Sequence, residues 1–307
     1  MKALTYDEFG GVDTLHIAEV PDPHAGADSL LVRVVAAGLN PVDYKIREGY
    51  LQGLMDAYFP VIPAWDVAGV VVRPGLDTPE FSVGDEVMAY ARKDIVHSGT
   101  LAEFVEVPVR TAAHKPDSLS FEKAAALPLA GLTALQSVRR SGLGEGSTVL
   151  IHAAAGGVGS FATQLAVLAG ARVVGTAGAA NHQYLTTLGA EPVLYGDDLV
   201  GDARRLAPDG FDVILDYVGG QAMATVPDLL RPGGTVVSIT DARARQEFGG
   251  HYVWVRPSST DLAELAGLAA DGRLRVPVAE VFDLARAADA YRVLEGGHVR
   301  GKIVVGV

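Results

Sequence analysis

Residues 147–160, STVLIHAAAGGVGS, join a short apolar run to a turn containing Gly156, Gly157 and Gly159. A Cβ in such a turn would hold a pyrophosphate away from the backbone N–H groups at the start of the next helix, so the stretch is suited to cradling a dinucleotide. Its context supports that use over a merely tight turn. Residues 147–153 read as a strand, Val158 sits inside the turn, SFATQLAVLAG reads as a helix, and ARVVGTA follows as a second strand.

The end of that second strand, about 20 residues past the cradle, is where an acidic side chain would hold the ribose hydroxyls of NAD. Thr176 and Ala177 stand there, and no Asp or Glu follows until Glu191. With no carboxylate to repel a 2′-phosphate, NADPH is the expected cofactor. Gly178 and Ala179 leave room for the phosphate, and Asn181 and His182 can donate to it; the alternative for Asn181 is a cap on the helix HQYLTTLGA.

The elements around this turn divide the chain by rhythm. Its 307 residues, 49% hydrophobic, are enough for about two domains. Up to about residue 115, runs such as LLVRVVAAG, DVAGVVVRPG and LAEFVEVPV are separated by Gly, Pro and Asp, as in an antiparallel, barrel-like domain. From about residue 120, helix and strand alternate. SFEKAAALPLAGLTALQSVRR is a helical region with a Ser cap and Pro128 near its middle. TVLIHA, ARVVGTA, EPVLYG, FDVILDYVG and GGTVVSI are the strands of a doubly wound parallel sheet. The tail supplies two amphipathic helices and a last strand, GKIVVGV.

With 37 acidic against 25 basic side chains the net charge is -12, and the basic residues form no stripe, which argues against nucleic acid and anionic membranes as partners. MKALTYDEFGG lacks an apolar signal core and no apolar run reaches spanning length, so a soluble cytoplasmic protein is expected. Cysteine is absent, and no two of the eight histidines stand three to five residues apart, so no short metal motif is present.

The cradle AAAGGVGS, the upstream ALPLAGLTAL, the LGA before a strand ending in Tyr195, the run GLNPVDYKIREG and the ending RGKIVV together resemble the medium-chain dehydrogenase/reductase superfamily. The closest likeness is to its zinc-independent, quinone-oxidoreductase or ζ-crystallin-like branch, over essentially the whole chain. The resemblance implies an α/β fold in which a Rossmann-type domain at residues 118–255 accompanies a GroES-like barrel at 1–117 and 256–307, in a homodimer. In the superfamily's alcohol dehydrogenases, a Cys follows the strand corresponding to VRVVAAGL and a Gly-His-Glu precedes the one corresponding to VAGVVV. Here Asn40 and Ala64-Trp65-Asp66 hold those places, unsuited to a Cys/His zinc site.

Hydride addition to an isolated ketone builds an alkoxide that needs a Lewis acid or a placed proton donor, whereas a quinone or an enone spreads the charge over a larger system. Conjugated acceptors are therefore expected: a quinone, or an α,β-unsaturated carbonyl such as an alkenal, enone or enoyl thioester. An NADPH-binding protein with little turnover is the alternative from another class.

The resemblance brings Asn40 to the nicotinamide, against a plain turn role before Pro41. Asp43, Tyr44, Lys45 and Tyr50 share the segment NPVDYKIREGY. Tyr44 and Lys45 are of types that act as acids, with a solvated helix face or a proton taken from water as the alternatives. The resemblance further implies cofactor contacts from Thr133, Tyr195, Val218, Ser238, Ile239 and Thr240, and from Tyr252, Val253 and Trp254 in HYVWV. Trp65 and the loop ARKDIVHSGT are expected to shape the substrate pocket.

Overall fold

The computed structural model describes all residues, 1–307. They form two compact units, residues 1–132 with 257–307, and residues 133–256. The helix Phe121–Ala126 packs on the strands Ser29–Gly38, Asp66–Arg73 and Lys302–Gly306 and so belongs to the first unit.

In the barrel unit a seven-stranded sheet runs in the order Val278–Asp283, Lys302–Gly306, Ser29–Gly38, Asp66–Arg73, Glu86–Tyr90 and Ala112–His114, with Phe104–Pro108 also paired to Ser29–Gly38. Strand Val278–Asp283, parallel to the last strand, is an addition to the tail expected from sequence. Alternate residues Leu30, Val32 and Val34 pack with Val67, Val71 and Val87 in one core, as the two-residue period of a strand requires. Farther along, Ala37 and Leu39 join Ile303, Val305 and Tyr291 in a second core. The helix Ala287–Glu295 closes that core with Ala287, Ala290, Tyr291 and Leu294, a three-to-four-residue stripe.

The other unit carries six strands, all parallel, in the order Glu191–Val193, Arg172–Thr176, Thr148–Ile151, Phe211–Asp216, Leu230–Ser238 and His251–Tyr252. Numbered along the chain this is 3-2-1-4-5-6, the doubly wound order expected, with its switch point between Thr148–Ile151 and Phe211–Asp216. Strand Glu191–Val193 stops two residues short of Tyr195, which lies in the following loop. The helical region before the sheet splits into Phe121–Ala126, capped by the Ser120 side chain accepting from Lys123 N, and Pro128–Ser141. The break falls at Leu127 because Pro128 has no N–H to continue the first helix. No helix is long and apolar enough to cross a membrane.

Candidate functional site

The cradle sits at the switch point, where open α/β sheets bind ligands at the carboxyl ends of their strands. Helix Gly157–Leu168 starts from Gly156 in extended conformation, so the first-turn N–H groups of Gly157, Val158 and Gly159 have no carbonyl partner within the helix. A Cβ on Gly159 would lie 2.2 Å from Ala153 O and 2.7 Å from Ala154 Cα, whereas one on Gly156 would meet only Ala153 O at 3.3 Å. Gly159 thus serves close packing of the helix on the strand, and Gly156 keeps the cradle's face clear.

Ala153 takes a positive φ of 54°, and the turn holds it there: Ala153 N donates to Thr176 Oγ1 at 3.0 Å and Ala154 N to Thr176 O at 3.0 Å. The Thr176 hydroxyl is therefore spent on the turn. Tyr195, 64% exposed, lies against Gly178: a Cβ there would stand 3.7 Å from its hydroxyl. Asn181 makes no side-chain cap on helix His182–Thr187, and the Glu191 carboxylate is held by the Arg172 guanidinium at 2.6 and 2.9 Å. The ribose end is thus free of unpaired carboxylate, with an aromatic face and an amide nearby. These residues fit a dinucleotide bearing a 2′-phosphate.

Beside the cradle, Asp216 is fully buried and accepts from Val218 N at 3.1 Å, Gly219 N at 2.8 Å and Ser238 Oγ at 2.6 Å. Ser238 Oγ in turn accepts from Thr240 N and Asp241 N. This network ties the ends of two central strands and fixes the loops that carry Val218, Ile239 and Thr240. His152, at the end of the first strand, is also buried, and its Nε2 has no hydrogen-bond partner. Burial pushes its pKa down to about 4, opposed by the charge of Asp216. Thr133 is buried in helix Pro128–Ser141. Val253 N donates to Ser238 O, while Tyr252 and Trp254 are exposed beside the edge strand.

In the barrel unit, Asn40 precedes the short helix Pro41–Arg47 with its side chain buried and both amide ends engaged. Its Nδ2 donates to Asp66 Oδ2 at 2.9 Å, and its Oδ1 accepts from Lys302 Nζ. Asp66 Oδ1 accepts from Leu129 N at 2.8 Å, and Lys302 Nζ also donates to Leu39 O at 2.6 Å. Burial pushes the Asp66 carboxyl up and the Lys302 ammonium down, each opposed by the other's charge. The arrangement does not fit a zinc ion, since Trp65 offers no ligand and an ammonium occupies the place beside Asp66. Nowhere do three or more His, Asp or Glu side chains group to hold a metal.

Tyr44, partly buried against the second core, has its pKa raised, chiefly by burial, and Lys45 is exposed. Neither lines the pocket beside this helix. That pocket is walled by Asp43 and Ile46 from the helix, by Trp65, and by the loop residues Lys93, Ile95 and His97. Trp65 and the loop expected to shape a pocket are therefore brought together. The roles of Asp66, Asp216 and Lys302 went unread in the sequence: each is a polar residue beside or within an apolar run, and only the fold brings it its distant partners.

The family model described as alcohol dehydrogenase GroES-like domain matches residues 26–117, and the one described as zinc-binding dehydrogenase matches residues 188–305. The chloroplast envelope quinone oxidoreductase homolog of Arabidopsis thaliana is 32% identical over 99% of this chain and 98% of its own. The chloroplastic NADPH-dependent alkenal/one oxidoreductase of the same plant is 35% identical over 99% of this chain and 79% of its own. Among solved structures, the quinone oxidoreductase from Coxiella burnetii superposes with a TM-score of 0.91 at 35% identity, covering 100% of this chain and 99% of that one. The fold and these similarities define an α/β oxidoreductase. The chain belongs to the medium-chain dehydrogenase/reductase superfamily, in its zinc-independent quinone oxidoreductase branch.

Proposed function

We propose that the protein transfers a hydride from NADPH to a conjugated acceptor, a quinone first and the activated C=C bond of an alkenal, enone or enoyl thioester second. The observation that carries the acceptor class is the Asn40–Asp66–Lys302 cluster. It fills with an ion pair and an amide the place a catalytic zinc would need, so an isolated alkoxide has no Lewis acid there. Quinones and enones spread the incoming charge, and hydrogen bonds suffice to hold it. Relatives named for quinones and for alkenals or enones support both acceptors.

NADPH, when bound, supplies the hydride. Gly157, Val158 and Gly159 present backbone N–H groups to its pyrophosphate, over the face that Gly156 keeps clear, and Gly178, Asn181 and Tyr195 receive the ribose end. Val218, Ser238, Ile239, Thr240 and the segment 252–254 carry the remaining contacts, on loops fixed by Asp216. A homodimer is part of the proposal: strand His251–Tyr252 pairs on one side only, leaving an edge flanked by the exposed Tyr252 and Trp254. Sedimentation at micromolar concentration should give twice the chain mass.

The test is an acceptor panel with NADPH: an ortho-quinone, a 2-alkenal, an enoyl thioester and a saturated ketone. Turnover confined to the conjugated acceptors is expected, with the quinone fastest. Reduction of the saturated ketone at a comparable rate would overturn the acceptor class, and a faster alkenal would put the second acceptor first.

A further inference from the structure

Two glycines stand side by side where strand Phe211–Asp216 leaves the sheet, and both take backbone shapes that other residues resist. At Gly219 φ is 75°, and at Gly220 φ is 59° with ψ at -119°. A Cβ at Gly219 would lie 2.9 Å from Thr240 Oγ1, so this loop presses on the one that follows strand Leu230–Ser238. A strained backbone persists only where its surroundings hold it.

A closed ring of hydrogen bonds holds it here. Asp216 Oδ1 accepts from Gly219 N at 2.8 Å, Asp216 Oδ2 accepts from Ser238 Oγ at 2.6 Å, and Ser238 Oγ accepts from Asp241 N at 3.0 Å. The Asp241 carboxylate accepts from Arg243 N at 3.0 Å and grips the guanidinium, with Nε at 3.1 Å and Nη2 at 2.7 Å. The same Nη2 donates to Gly220 O at 2.9 Å and closes the ring. The Arg243 guanidinium holds the Asp241 carboxyl down, to about 2, and the Gly220 N–H adds to the effect, so the pair stays ionised at neutral pH. Asp216 and Ser238 are buried, whereas Asp241 and Arg243 stand half-buried at the rim.

We propose that Asp241 and Arg243 are positioning residues: they preset the Gly219-Gly220 loop in the shape that receives the nicotinamide half of the cofactor. The proposal rests on the NADPH reading above. A doubly wound sheet takes one half of a dinucleotide on each side of its switch point. Gly178, Asn181 and Tyr195 stand past strands Arg172–Thr176 and Glu191–Val193, so the other half falls to Phe211–Asp216 and Leu230–Ser238, whose loops the ring ties together. The Arg243 charge is met by Asp241, so its effect on the cofactor runs through Gly220 O. A loop that is not preset must be ordered by the cofactor itself, and affinity falls with the fraction of time the loop is in shape.

The experiment measures NADPH, NADH and 2′,5′-ADP affinity by calorimetry for the wild-type protein, Arg243→Ala and Gly220→Ala, with amide hydrogen exchange of the nucleotide-free proteins. A Cβ at Gly220 would meet nothing within 4 Å, so Gly220→Ala alters only the backbone preference. Both variants should weaken NADPH and NADH alike, by about tenfold, and leave 2′,5′-ADP, which lacks the nicotinamide half, unchanged. The KM for NADPH should rise by the same factor with kcat within about threefold, because the bound cofactor restores the loop. The Val218 and Gly219 amides should exchange faster in both variants. An equal loss of 2′,5′-ADP affinity would overturn the proposal, as would a loss confined to NADPH, which would make Arg243 a partner of the 2′-phosphate. Unchanged NADPH affinity in the folded variants would overturn it too, and if Arg243→Ala fails to fold, Gly220→Ala decides alone. A wild-type protein that binds neither NADPH nor NADH would sink the cofactor reading first, and the proposal with it.

Discussion

Lys302 Nζ, on the last strand, lies 3.5 Å from Asp66 Oδ2, and neither side chain reaches solvent. The contact joins residues 236 positions apart in the chain and, through Asn40 and Leu129 N, ties a sheet strand to the start of two helices.

Removing one member leaves a buried charge without its partner. Asp66→Ala is expected to cost about 3–5 kcal/mol in urea unfolding, because Lys302 loses its counter-charge and Leu129 N its acceptor. The double variant Asp66→Leu, Lys302→Met should be more stable than Asp66→Ala. A double variant still less stable would mean that the hydrogen bonds to Asn40 and Leu129 dominate over the ion pair.

The two cradle glycines should separate folding from binding. At Gly156 a side chain meets one oxygen at 3.3 Å and the backbone φ is -72°, so Gly156→Val should fold and lose NADPH affinity by a factor on the order of 100. At Gly159 a Cβ would collide with backbone at 2.2 Å, so Gly159→Val should lose stability first. Unchanged NADPH affinity in a folded Gly156→Val protein would contradict the cradle assignment.

Cofactor choice is open to a single added charge. At Gly178 a Cβ would make only ordinary contact with Tyr195 and φ is -67°, so Gly178→Asp should fold. A carboxylate there should weaken NADPH by at least about tenfold and leave NADH within a factor of about three, since only the 2′-phosphate is repelled. Equal loss for both cofactors would show that the ribose end lies elsewhere.

His152 gives the protein an acid-side stability limb. Its folded pKa of about 4 lies below the ordinary value of 6.5, so as pH falls the unfolded chain binds the proton first. Its contribution is complete above 6.5 and is lost as pH falls through 4, up to about 3 kcal/mol in all. His152→Leu should flatten that part of the unfolding free energy against pH; an unchanged slope would assign the limb to other groups.

Much of this was legible in the sequence. The glycine turn, the strand before it and the helix after it are local, and the alternation of helix and strand pointed to a doubly wound parallel sheet through five of its six strands; the two-residue edge strand His251–Tyr252 is too short to show a period. Thr176 could be read as a strand end without a carboxylate, but not as the acceptor of the Ala153 N–H, a contact made across 23 residues. Which strands helix Phe121–Ala126 packs on is not encoded in its own residues. Asn40 was visible as a departure from a zinc ligand. Its bonds to Asp66 and Lys302 were not, because they join positions 26 and 262 residues away. Asp43 sat beside Tyr44 and Lys45 in plain view, but which of the three faces a pocket is set by the helix's rotation against the sheet.

The most direct test of the central claim is the loss of reduced-nicotinamide absorbance with an ortho-quinone, run in parallel with NADPH and NADH after dialysis against a metal chelator. Rapid oxidation of NADPH, slower oxidation of NADH and no effect of the chelator are expected. Tight NADPH binding with no oxidation of either cofactor would contradict the account and leave a nucleotide-binding protein in its place.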